Sequence, residues 1–167
     1  MERLWSPWRS KYIESISGKD DGTKRCIFCE KFSAQKDEEN LVVYRGPLTA
    51  IVMNLFPYNS GHLMIVPFAH KGDFEALTDE ENADVMRQVR LAIKLLRTTC
   101  NPDGFNFGAN LGKVSGAGIA EHVHFHVVPR WNGDTNFMSV LDDTKIISEE
   151  LRESYTKLTD ALAVVKR

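Results

Sequence analysis

Glu121-His122-Val123-His124-Phe125-His126-Val127-Val128-Pro129-Arg130 holds three of the protein's five histidines, at alternate positions. A strand turns its faces to opposite sides in succession, so this spacing predicts His122, His124 and His126 on one side and Val123, Phe125 and Val127 on the other. One face is then apolar and buried, and the other is a row of imidazoles. At a rise of about 3.3 Å per residue, neighbouring rings lie roughly 6.6 Å apart and the outer two roughly 13 Å apart. A metal bonds imidazole nitrogen at about 2.0–2.1 Å, so an extended strand brings two of these rings to one ion but hardly three. The three histidines are expected to hold different tasks.

Three readings of the row compete: a half-exposed strand that is merely histidine-rich, a metal-only site, and a catalytic strand. The catalytic reading is favoured, because histidine titrates near neutrality and can attack as a neutral imidazole.

The chain of 167 residues is 43% hydrophobic and 26% charged, which suits one well-packed domain spanning 1–167. Its net charge of -2 gives no electrostatic case for nucleic acid or a membrane as a main partner. Any phosphate must be bound by local groups. The opening nine residues lack an apolar core of signal-peptide length, and no segment approaches the ~20 apolar residues of a membrane span. Three cysteines do not make a disulfide scaffold, so a reducing cytoplasm is the expected location.

Residues 1–25 are read as an aromatic arm (Trp5, Pro7, Trp8, Tyr12) followed by a polar loop. Cys26-Ile27-Phe28-Cys29 then fits half of a tetrahedral zinc site, a redox pair, or two idle thiols. A redox pair wants a strand-to-helix setting, whereas 30–40 looks polar and loop-like. Zinc needs two further ligands from elsewhere.

Residues 41–45, 48–53 and 62–67 are strand-like, with Gly46-Pro47 turning the first pair and the turn formers of 54–61 preceding the third. His62 and His70 bracket that third strand. Thr78-Asp79-Glu80-Glu81 carries a helix-start signature, and Val85, Val89, Ile93 and Leu96 recur on one face of a helix running to about residue 99. A strand over 105–110 leads into Leu111-Gly112-Lys113-Val114-Ser115-Gly116-Ala117-Gly118. This connector is not a P-loop, because a strand and not a helix follows it, but its backbone N–H groups can converge on an anion. Residues 148–167 close the chain as a helix with Leu151, Tyr155, Leu158 and Leu162 on one face.

At His122-Val123-His124-Phe125-His126-Val127-Val128 the sequence resembles the histidine triad (HIT) superfamily, whose motif is His-φ-His-φ-His-φ-φ with φ apolar; every φ is filled here. Gly61-His62-Leu63-Met64-Ile65-Val66-Pro67 resembles a second shared pattern. The resemblance implies an enzyme that splits phosphoanhydride bonds beside a nucleotide's α-phosphate through a nucleotidyl-histidine, with His124 as nucleophile and His126 and His62 beside it. It also implies one structural zinc per chain on Cys26, Cys29, His70 and His122, and phosphate contacts from Asn110, Ser115 and Gly118. Asn54 and Gly116 complete the candidate substrate-binding set. Pro129-Arg130-Trp131-Asn132-Gly133-Asp134-Thr135-Asn136-Phe137 resembles the bacterial diadenosine tetraphosphate phosphorylases more than the hydrolases, although Gly118 stands where those phosphorylases carry a serine. Trp131 is read either as a stacking partner for a base or as a subunit-contact aromatic.

The expected fold is α+β: a HIT-like antiparallel sheet of about five strands, one long packed helix and a C-terminal helix, in a homodimer. The expected activity is nucleotidyl transfer from a dinucleoside polyphosphate, adenine being the expected base, to phosphate. Alternatives are hydrolysis of such substrates or of nucleoside phosphoramidates, a zinc-stabilised nucleotide-binding module with little turnover, and a metallohydrolase using the histidine row as ligands.

Overall fold

A computed structural model of the chain describes residues 26–134 and 149–166. The aromatic arm with Trp5, Pro7, Trp8 and Tyr12, the loop after it, the Thr135-Asn136-Phe137-Met138 stretch and positions 148 and 167 of the expected last helix lie outside the described residues.

Strands β1 (Val42–Arg45), β2 (Thr49–Met53), β3 (Leu63–Pro67), β4 (Gly104–Gly108) and β5 (Phe125–Arg130) form one antiparallel sheet in the order β1-β2-β3-β5-β4. Period-two alternation divides their side chains between two apolar clusters. Ile51, Met53, Leu63, Ile65, Phe125 and Val127 point into the larger one, and Ala50, Val52, Met64 and Val66 into the smaller. Helix α1 (Ile27–Ser33) lies over the second face, α2 (Asp79–Cys100) packs on the first against β2, β3 and β5, and α3 (Leu151–Val165) packs against α2 and β1. This is the expected α+β arrangement with one helix more.

That extra helix corrects the sequence reading. Residues 30–40, for which composition predicts a polar loop, begin inside a seven-residue helix, with Glu30 N–H bonded to the Cys26 carbonyl at 3.0 Å. So short a helix has little intrinsic stability. It is held by Phe28, 2% exposed in the second cluster, and by Phe32, which meets Phe68 edge-on.

Helix α2 begins at the expected place because Thr78 and Glu81 form a reciprocal capping box: Glu81 N–H donates to Thr78 Oγ1 at 3.2 Å and Thr78 N–H to Glu81 Oε2 at 2.7 Å. Its buried face is Val85, Val89, Ala92, Leu95 and Leu96; Ile93, expected in that row, is only partly buried. The helix ends on Asn101 in the left-handed region, just ahead of Pro102. Asp84, fully buried, accepts from Leu48 N–H at 3.1 Å and Thr49 Oγ1 at 2.8 Å and so fastens the β1–β2 turn to this helix.

A second correction concerns the histidine row. The ladder of β5 begins only at Phe125, paired with Ile65, so His122 and His124 precede it outside the ladder, with His122 at a bend. There the segment is held by Val123 N–H donating to the Lys71 carbonyl at 2.7 Å. The imidazole side is not open: His122 is 0% and His124 6% exposed. Among the described residues no helix is long and apolar enough to cross a membrane.

Candidate functional site

The second face of the sheet is covered unequally. Helix α1 roofs β1, β2 and β3, whereas the β5–β4 end opens into a cleft of about 510 Å³. His126, Val128 and Arg130, alternate residues of β5, line it together with Asn106 of β4, and Asn110 and Ser115 enter from the glycine-rich connector.

The ring nitrogens can be assigned from partners that only donate or only accept. His124 Nδ1 lies 2.9 Å from the His122 carbonyl, so Nδ1 carries the proton and Nε2 keeps the lone pair. His122 Nε2 donates to the Pro67 carbonyl at 2.8 Å, leaving its Nδ1 unprotonated. His62 Nδ1 lies 3.1 Å from the Tyr58 N–H, which can only donate, so its proton sits on Nε2 and is given to His126 Nδ1 at 2.9 Å. A neutral His126 then carries its own proton on Nε2.

Burial lowers the pKa of all three rings placed below the surface. His62, 1% exposed, is pushed down to about 3 by burial and then by His126 and His124. Burial likewise lowers His124 and His122, opposed in each by the carbonyl its N–H reaches. Phe28 of α1 packs against both, its ring centroid 5.2 Å from that of His124 and 5.3 Å from that of His122. His124 does not line the cleft; its ring lies 5.0 Å from that of His126, which does.

His122 Nδ1 faces a cluster of other donors. It lies 3.2 Å from Cys26 Sγ, 3.7 Å from Cys29 Sγ and 3.4 Å from His70 Nδ1, and His70 Nδ1 is 3.5 Å from Cys29 Sγ. The four ligand atoms lie within 4.8 Å of one another, so these residues could hold a metal. Bonds of about 2.0–2.3 Å to one tetrahedral zinc put its ligand atoms roughly 3.3–3.8 Å apart, which these separations fit. The proton of His122 is on the far nitrogen, as a ligand with a carbonyl partner behind it requires. Burial pushes the Cys26 thiol up to about 11, a cost that a cation among the four would reverse. Glycine makes the meeting possible: a Cβ on Gly72 would fall 2.9 Å from the Ala120 carbonyl oxygen, so the segment bearing His70 lies against the one bearing His122.

The remaining expected residues are placed unevenly. Ser115 Oγ lies 2.7 Å from both the Leu111 and Gly112 carbonyls, and Asn110 Nδ2 donates to the Gly116 carbonyl at 3.4 Å. The connector folds into a short 3-10 turn at Lys113–Ser115, with Gly112 and Gly116 at φ 79° and 93°. There Gly116 N–H bonds Lys113 and Ala117 N–H bonds Gly112, so those two amides serve the turn and not an anion. Gly118 does not line the cleft. Neither does Trp131, whose indole N–H donates to the Cys100 carbonyl at 3.3 Å, nor Asn54, which turns to His62. Sequence reasoning missed Tyr58, stacked on His62 at 4.8 Å, and Arg130, whose guanidinium bonds Asn106 Oδ1 at 2.8 Å and pairs with Asp134. Arg130 in turn holds the Asp134 carboxyl well below the usual carboxylate range.

A family model described as the HIT domain matches residues 35–133. An AP-4-A phosphorylase of Mycobacterium tuberculosis is 42% identical over 157 residues, covering 92% of this chain and 80% of the relative. An adenosine 5'-monophosphoramidase of Schizosaccharomyces pombe is 27% identical over 107 residues, or 64% of this chain and 75% of that protein. The crystal structure of a Zn-bound histidine triad family protein from Mycobacterium smegmatis superposes with a TM-score of 0.69 at 25% identity, covering 84% of this chain and 95% of that one.

Proposed function

The chain belongs to the HIT domain family, and from that premise we propose that it is a nucleotidyl transferase acting on dinucleoside polyphosphates such as diadenosine tetraphosphate, with inorganic phosphate as acceptor. The observation that carries the reading is the His124 Nδ1 bond to the His122 carbonyl, which leaves Nε2 as an unprotonated nucleophile at neutral pH.

In the first step His124 Nε2 bonds to the α-phosphorus, and the bond from that phosphorus to its bridging oxygen breaks. The electron pair leaves with the bridging oxygen of the departing nucleoside triphosphate. The attached imidazole becomes cationic, and its Nδ1 keeps its proton, donated to the His122 carbonyl. His126, proton on Nε2, is the donor toward phosphate oxygens, with His62 behind it. Asn110 and Ser115 line the same cleft and serve as polar contacts for the polyphosphate. In the second step an oxygen of orthophosphate attacks the same phosphorus, the P–N bond breaks, and the nucleotide leaves as a diphosphate while His124 Nε2 regains its lone pair.

Cys26, Cys29, His70 and His122 would hold a zinc ion, and with four protein ligands it would supply structure and leave no position for the reaction. These four residues tie α1 and the His70 segment to the chain just ahead of β5. Release of water-derived product is the second reading, favoured by the phosphoramidase relative. The longer and closer match to a phosphorylase supports phosphate. Diadenosine tetraphosphate incubated with and without phosphate decides between them. ADP plus ATP, dependent on phosphate, is the expected outcome, and AMP plus ATP in its presence would assign hydrolysis instead.

A further inference from the structure

A polyphosphate chain carries several negative charges, and the rings at the reacting end do little to meet them, because burial disfavours the charged form of His62 and of His124. Of the described residues that line the cleft, Arg130 is the one with a permanent positive charge. It stands four residues beyond His126 on the same face of β5, about 13 Å along the strand. Its guanidinium is held in a fixed place. Nη2 donates to Asp134 Oδ1 and Nη1 to Asn106 Oδ1, each at 2.8 Å, and Nε–H donates to Asp134 Oδ2. Asp134 is itself fastened by Asn59 Nδ2 at 2.9 Å and by Trp131 N–H at 3.3 Å. The same Asn59 amide, 5% exposed, donates to the Pro129 carbonyl at 2.9 Å. Three of the five guanidinium N–H groups are spent in this way, and one on each Nη has no partner among the described residues.

We infer that Arg130 determines specificity for polyphosphate length: its two remaining Nη donors take the phosphates of the leaving group that lie remote from the one attacked, while Asp134 and Asn106 hold the guanidinium in place. This ligand follows from the transfer reaction proposed above. The separation along β5 puts Arg130 too far from His126 to serve the reacting phosphorus, so it addresses the distal part of the chain. Arginine suits that task because its planar donors match phosphate oxygens, and hydrogen bonds between charged partners are the stronger kind. Asp134 offsets part of the charge; what it supplies in return is direction. A side chain already immobilised by Asp134 and Asn106 loses little further freedom when a phosphate arrives. A short bridge between two nucleosides would end before this point, whereas a longer one reaches it.

Removing Arg130 alone would strand the Asp134 carboxylate, so the test uses Arg130→Gln together with Asp134→Asn, a neutral pair that can keep a hydrogen bond across the turn. Calorimetric titration of the zinc-loaded full chain with AMP, ADP and ATP, without magnesium, reads the effect of each added phosphate. In the wild type ATP is expected to bind at least about 10-fold more tightly than AMP. In the double variant the two should bind within about threefold of each other, with AMP affinity itself changed by less than about threefold. Turnover should follow: the preference in kcat/KM for diadenosine tetraphosphate over diadenosine triphosphate drops about 10-fold, a ratio from which general damage to the fold cancels. Equal affinity for AMP and ATP in the wild type, or an ATP advantage that survives the double substitution, overturns the inference. So does a variant that loses AMP and ATP alike, since Arg130 then serves only the turn or the shared end of the ligand. A wild type whose ATP advantage is lost in the variant, but which splits no dinucleoside polyphosphate, upholds the role of Arg130 and contradicts the functional reading alone.

Discussion

The ring of His124 and the carbonyl of His122 are joined by a 2.9 Å hydrogen bond across a single intervening residue, Val123. The same His122 turns its side chain into the Cys26, Cys29 and His70 cluster. One short stretch of backbone therefore sets the tautomer of His124 with its peptide oxygen and reaches, with its imidazole, a cluster that could hold a metal. The His122 ring turned to the cluster and the His124 ring turned back to the His122 carbonyl are what allow the two tasks to coexist.

On the proposed mechanism, replacing His124 removes the atom that bonds to phosphorus. His124→Ala and His124→Gln are expected to lower single-turnover rates by roughly 10³-fold or more, with nucleotide affinity changed only a few-fold. Quench-flow kinetics and calorimetric titration with a non-cleavable dinucleotide measure the two quantities separately.

The cluster should hold one zinc per chain. Chelation, Cys29→Ser or His122→Ala should empty the site and lower the thermal midpoint by roughly 10 °C or more, because α1 is too short to stand on its own contacts. Elemental analysis beside thermal melts checks this, and full zinc content in His122→Ala would refute the ligand set.

Gly72 offers a test that touches no ligand. Gly72→Ala puts a methyl 2.9 Å from the Ala120 carbonyl oxygen and must part the His70 segment from the His122 segment. We expect about 1–3 kcal/mol of lost stability and weaker zinc retention in competition with a chelator, with the cleft residues unchanged in sequence.

Acid should act through His62. Its folded pKa is held at about 3 by burial, by His126 on β5 and by His124 just ahead of that strand, with the neutral ring of Tyr58 stacked on it, against an ordinary value of 6.5. The unfolded chain thus binds a proton that the folded one refuses, so this contribution is intact above about pH 6.5 and is lost as pH falls toward 3. His62→Gln lacks that titration. Its stability deficit relative to wild type, measured by denaturant unfolding, should shrink between pH 7 and pH 4; a deficit constant with pH would contradict the assignment.

The sheet was legible because the strand-like apolar runs at 41–45, 48–53 and 62–67, the turn formers between them and the alternation along 121–130 are local properties, and the ends of α2 because Thr78, Glu81 and Pro102 act within a turn of themselves. The four metal-cluster residues were legible as a set through the family resemblance. Helix α1 was not, since nothing local makes Ile27–Ser33 helical; Phe28 and Phe32 gain it only by docking on strands far along the chain. Ala92 replaced Ile93 in the buried row because contact with the sheet and α3, not side-chain size, chose the face. Arg130 escaped notice because only the β4–β5 pairing brings Asn106 to it, and Tyr58 and Asp134 because their contacts four residues away, with His62 and Arg130, are made across loops that no strand or helix period marks. Trp131 carried a motif but spends its indole N–H on the end of α2.

The central claim is that His124 becomes covalently bonded to the nucleotide. Intact-mass measurement of protein mixed with diadenosine tetraphosphate in the absence of phosphate and quenched within the first turnover, followed by peptide mapping, tests it most directly. The account predicts a mass gain of one adenylyl group on His124, discharged as ADP when phosphate is added. Burst-free turnover with no adduct at any time point, or an adduct on His126 or His62, would contradict it.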